Sequence, residues 1–162
     1  MATGRTHTQV STVLDGLRET YDSFSINQSS VTVDHETFER VAERATTHVV
    51  DVDVKVQRES SVLVVESDGM VRAPHGTVTV EESGLESGAH RLVENQTGID
   101  CHVVDVLSAT ILTITDKSRT GRDPVYRLSV LFEAIYEGGE PEGTARWQSG
   151  AATSTVAHPA LD

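Results

Sequence analysis

Apolar positions recur along this chain with two different periods, and the changes of period mark its organisation. Val10, Val13, Leu14, Leu17 and Tyr21 fall at helical spacing, one apolar stripe on an amphipathic helix. Phe38, Val41, Ala42 and Ala45 repeat that spacing after Asp34, whose short acidic side chain suits an N-cap. The polar stretch 25–33 between them leaves room for a short extended piece. From residue 48 the period becomes two. Val50, Val52, Val54 and Val56 alternate with Asp51, Asp53, Lys55 and Gln57, as in a half-buried strand. Residues 61–66 predict a strand closed by an Asp68-Gly69 turn, and 70–80 resume an extended chain. Residues 83–96 return to the helical period, opened by a Ser83/Glu86 capping box and stopped by Gly98. Residues 99–115 and 125–137 predict long aliphatic strands separated by a polar loop. The Gly138-Gly139-Glu140-Pro141 turn then leads to a last short strand at 145–147. From Gln148 the chain is rich in Ala, Ser and Thr and is expected to be poorly ordered.

Composition narrows the class. A chain of 162 residues suits one domain, and with 37% apolar but only 4% aromatic residues its core must be aliphatic. No apolar run approaches the roughly 20 residues that span a bilayer, so no membrane association is expected. The first residues, MATGRTHTQVST, lack the apolar centre of a secretory signal, so a cytoplasmic location is expected. Cys101 is the single cysteine, which excludes an internal disulfide and a cysteine zinc cluster. The charge of -12 comes from 25 acidic and 13 basic residues, and Lys55 and Lys117 are the only lysines. Without a basic stripe, duplex nucleic acid is not an expected partner. An acidic, lysine-poor, threonine-rich surface is what a salt-saturated cytoplasm favours. Because acidity also serves plain solubility, it names no partner.

The stretch 74–99, PHGTVTVEESGLESGAHRLVENQTGI, resembles the Nudix box, as do the strands after it, FEAIYEGGEPEG and the late Trp147. The resemblance covers residues 47–147, and the helical leader is similar to that of Nudix proteins from salt-loving archaea. It implies an α+β fold, an α/β/α sandwich around a mixed sheet. The expected organisation is an N-terminal helical extension (1–46), the Nudix-like domain (47–147) and a tail (148–162). It also implies a MutT-like hydrolase. In that family, glutamates at i, i+3 and i+4 share one helical face, where they hold Mg²⁺ or Mn²⁺ through oxygen ligands. The metal polarises the diphosphate and activates water, cleaving a nucleoside diphosphate from another group.

At these positions the sequence departs from the pattern. Counted back from Gly98 and Ile99, Arg91 matches the family arginine, and the three metal-ligand positions hold Leu92, Asn95 and Gln96. Counted forward from Gly76, Glu82 matches the first glutamate and Glu94 stands for one of the later pair. The counts differ by one residue, placing an insertion between Glu82 and Arg91, at Ser87, where a π-bulge would absorb it. His75 replaces the glycine before Gly76, and Thr79 replaces a common acid. Asn95 and Gln96 keep oxygens but lose the charge that holds a hard cation, and Leu92 offers nothing, so activity is expected to be weak or lost.

A relocated site is the other reading. Glu86, His90 and Glu94 lie at i, i+4 and i+8 on one stripe, with Glu82 nearby. If active, Glu82, Glu86 and Glu94 would carry Mg²⁺ or Mn²⁺, with Glu82, Arg91 and Glu94 as catalytic residues and Arg91 holding the carboxylates in place. The same stripe equally describes a solvated face in which Glu86 caps the helix and Glu94 pairs with Arg91.

Elsewhere, His7, His35, His48, His102 and His158 show no ligand spacing. Cys101 reads as a buried small hydrophobe rather than a nucleophile. Arg119, Arg122 and Arg127 would either reach a phosphate or salt-bridge the polar loop. Trp147 would stack on a base or plug the core. The expected partner is a nucleotide-type small molecule. The alternative function is a catalytically inactive nucleotide sensor or an interaction module. Replacement of the family's last helix by QSGAATSTVAHPALD would expose surface and so favours a homo-oligomer.

Overall fold

A computed structural model of the chain describes residues 2–21, 24–44, 49–79, 84–118 and 123–149. In chain order these form α1 (Ala2–Thr20), β1 (Ser25–Val33), α2 (His35–Arg44), β2 (Val49–Arg58), β3 (Ser61–Ser67) and β4 (Met70–Arg72). Then follow β5 (His75–Thr79), α3 (Leu85–Thr97), β6 (Asp100–Asp116), β7 (Val125–Gly138) and β8 (Arg146–Ser149). The strands make one sheet in the order β1-β6-β7-β2-β3-β4, with β5 added on β2 and β8 on β3. β1/β6 and β2/β7 are parallel and the other pairs antiparallel, so the sheet is mixed.

The alternation of β2 sets up the larger core. Val50, Val52, Val54 and Val56 are buried together with Val10, Leu14 and Leu17 of α1 and Leu85, Ala89 and Val93 of α3. Ala109 and Ile111 of β6 and Leu128 and Val130 of β7 join this cluster. The intervening positions, Leu112, Ile114 and Val125, pack instead on Phe38 and Val41 of α2. Successive strand residues face opposite ways, so α1 and α3 cover one face of the sheet and α2 the other. This is the α/β/α sandwich around a mixed sheet that the resemblance implies. No helix of the described residues is long and apolar enough to cross a membrane.

Several elements differ from the sequence reading. The extended piece at 25–33 is a full strand of nine residues, in parallel register with β6 from Ser25↔Ser108 to Val33↔Asp116. Its burial alternates only loosely, since a strand at the sheet margin takes its order from backbone pairing. The Asp68-Gly69 turn is present with both residues at positive φ (53° and 77°), the geometry that matches strand twist in a two-residue hairpin. Asp51 and Asp53, read as the exposed side of β2, form ion pairs with Arg127 and Arg72 at 2.9 and 3.5 Å. Arg127 is thus a buried partner of Asp51 rather than a loop cation. Residues 80–83, 119–122 and 150–162, which include Glu82, Ser83, Arg119, Arg122 and His158, lie outside the described residues, as does His48.

The start of α2 illustrates how local chemistry fixes an element. The Asp34 carboxylate accepts the Thr37 backbone N–H at 2.8 Å, the cap its position predicts. At the next residue, His35 Nδ1 lies 2.9 Å from Asp116, which also accepts bonds from the Ser118 hydroxyl and backbone N–H. Burial pushes the Asp116 carboxyl up, but the bonds from His35 and Ser118 outweigh it and bring it down to about 2. A carboxyl held below its ordinary 3.8 contributes stability that is complete above that value and lost as pH falls through about 2. Asp116→Asn is therefore expected to flatten the acid limb of a melting-temperature profile over that interval. An acid limb identical to that of the parent protein would contradict this.

Candidate functional site

α3 carries the box-like stretch. It starts after Gly84, whose φ of 91° suits a glycine, and Ser83, the residue expected to open a capping box, lies outside the described residues. At the other end Gly98 takes the left-handed conformation (φ 77°) and its N–H bonds the Glu94 carbonyl, the stop expected from its position. From Leu85 to Thr97 the helix is uninterrupted α-helix. There is thus no π-bulge at Ser87.

The unbroken helix places Leu92, Asn95 and Gln96 along an open groove of about 540 Å³ between α3 and β5, lined also by Thr77, Thr79 and Arg91. Two glycines let the elements approach this closely. A Cβ on Gly76 would lie 2.8 Å from Leu92 Cδ1, and one on Gly88 would lie 2.2 Å from Val78 Cγ1. Gln96 clasps the edge of β5: its Oε1 accepts the His75 N–H at 3.0 Å, and its Nε2 donates to the His75 carbonyl at 3.3 Å. Both ends of the amide are thereby used. Among the described lining residues of this groove there is no carboxylate. Leu92, Asn95 and Gln96 do not fit a hard divalent cation, which needs charged oxygens.

Gln96→Glu tests the clasp. A carboxylate accepts from His75 N–H but cannot donate to its carbonyl, so about 1 kcal/mol of stability should be lost. Urea unfolding measures it, and a gain in stability would refute the structural role.

The opposite flank of α3 holds the remaining acids. Glu86 accepts a hydrogen bond from Tyr21, whose phenol is pushed up to about 12, first by burial and then by the nearby Glu86 carboxylate. His90 and Glu94 do not gather with Glu86. With Asp100, at the start of β6, they form a group whose ligand atoms lie within 4.8 Å of one another. His90 Nε2 and Asp100 Oδ1 are 2.6 Å apart. Arg91 lines the β5 groove and also a second one of about 390 Å³, beside Glu86, His90 and Cys101. Asp100 is absent from the sequence reading. The available signal was the Gly98 stop, which turns the chain back alongside α3.

The other singled-out side chains take structural places. Burial, then the Asp100 field, pushes the Cys101 thiol up to about 11, so it is no nucleophile at neutral pH. His7 packs edge-on against Tyr126 at 5.2 Å. Trp147 is half-buried edge-on against Tyr136 at 5.3 Å, with the Arg58 guanidinium over both rings.

No family model matches this sequence, and no curated protein matches it. Among solved structures it is similar to an ADP-ribose pyrophosphatase from Streptococcus suis, with 20% identity and a TM-score of 0.46 over 62% of this chain and 73% of that one. It is also similar to the MutT protein from Bacillus halodurans, with 17% identity and a TM-score of 0.46 over 62% and 68%. A candidate oxidoreductase from Sinorhizobium meliloti gives 17% identity and a TM-score of 0.44 over 68% of this chain. The chain spans only 35% of that protein's length.

Proposed function

We propose that this protein is a Nudix hydrolase-like protein that binds a nucleotide-type small molecule, a nucleoside diphosphate linked to another group, in the groove between α3 and β5. Its turnover by the metal-dependent chemistry of that family is weak or lost. One observation supports the reading: an unbroken α3 lines the groove with Leu92, Asn95 and the committed amide of Gln96, the three residues that the box resemblance matches to metal-binding glutamates. What the groove offers instead is recognition chemistry. Arg91 supplies a guanidinium suited to phosphate oxygens, and Thr77, Thr79 and Asn95 supply neutral hydrogen-bonding groups.

The reading is tested by hydrolysis of a panel of nucleoside diphosphate derivatives in multimolar KCl, with Mg²⁺ or Mn²⁺ and with chelator. The expected result is turnover no greater with either ion than with chelator. Chelator-sensitive turnover that Glu94→Gln abolishes would overturn it, because that carboxylate would then serve an active metal site.

A further inference from the structure

The turn at Gly98 brings together three side chains, of which His90 alone borders a groove already described. His90 and Glu94 stand four residues apart on one face of α3, and the left-handed Gly98 returns the chain so that Asp100 meets them. One imidazole nitrogen and two carboxylates then lie within 4.8 Å of one another, and His90 Nε2 already holds Asp100 Oδ1 at 2.6 Å. Arg91 apart, their surroundings are negative. The C-terminal end of a helix carries partial negative charge, and the last turn of α3 has no basic residue. The Glu142 side chain packs against Gly98, and Glu137 acts with Asp100 and Glu94 on the Cys101 thiol.

From this geometry we infer that His90, Glu94 and Asp100 form a site for a first-row divalent transition ion. The single nitrogen donor selects ions of the Mn²⁺, Co²⁺ and Zn²⁺ kind over Mg²⁺, which prefers an all-oxygen shell. Three protein ligands leave coordination positions open, and His90 itself borders the second groove. The site is separate from the β5 groove, so failure of the nucleotide reading leaves this one standing, and the reverse.

The test is titration of the full chain with Co²⁺, Mn²⁺ or Zn²⁺, and with Mg²⁺ in parallel, by calorimetry and by Co²⁺ visible absorption. One ion per chain should bind, with Mg²⁺ at least about tenfold weaker. His90→Ala and Asp100→Asn should each weaken Co²⁺ binding at least about tenfold while the metal-free melting temperature stays unchanged, since both side chains are substantially exposed. Glu86→Gln should leave binding unaltered. Absence of saturable binding, binding that survives His90→Ala, equal affinity for Mg²⁺, or an equal loss in Glu86→Gln would overturn the assignment.

Discussion

Arg127→Met is expected to cost about 3–5 kcal/mol, because it removes the guanidinium that holds the Asp51 carboxylate in the protein interior. The two side chains are 2% and 3% exposed and meet at 2.9 Å across the parallel β2/β7 pair. Arg127 Nε and Nη1 have no hydrogen-bond partner among the described residues, so the pair is an imperfect one whose desolvation is incompletely offset. That predicts an asymmetry. The single variant should be severely destabilised, since a loss of this size is a large share of an ordinary domain's stability. Arg127→Met combined with Asp51→Leu should regain most of it, because two apolar groups of similar volume need no partner. Urea unfolding of the parent, both single variants and the double variant measures this cycle. A double variant no better than the worse single one would show that the pair does more than neutralise itself.

Gly88→Ala is the second large effect. Its new methyl would sit 2.2 Å from Val78 Cγ1, and a β-branched side chain on a strand has little rotamer freedom to yield. Overpacking of this kind costs about 1–3 kcal/mol, and the upper part of that range is expected at so short a distance. Alanine recovers about 1 kcal/mol of helix propensity, leaving a net loss of about 2 kcal/mol. Val78→Ala in the same chain should relieve the clash, so the two substitutions should be strongly non-additive. Additive losses would mean that α3 and β5 do not pack as described. The same contact shapes the groove, so Gly88→Ala should also weaken nucleotide binding.

The architecture was largely legible because periodicity reports burial. The valines of β2 and the stripe of α1 bury where their spacing places them. What periodicity cannot report is the partner across the sheet. Asp51 alternates with valines and so reads as solvated, yet it is buried because β7 brings Arg127 beside it from 76 residues away. β1 was hard to read for a related reason, since its polar residues are ordered by the β6 backbone rather than by an apolar face of their own. In the site, the end of α3 followed from the glycine stop, a local signal. The π-bulge expectation failed because α3 runs as unbroken α-helix from Leu85 to Thr97. Asp100 went unread because its place beside His90 depends on a tertiary return of the chain.

The most direct test of the account is calorimetric titration of the full chain with nucleoside diphosphate derivatives in multimolar KCl, with and without chelator. Saturable binding of the same affinity is expected in both buffers, weakened at least about tenfold by Arg91→Ala through loss of a charge-assisted contact. Binding that disappears with chelator would contradict it, since the groove would then depend on an ion that Leu92, Asn95 and Gln96 do not hold.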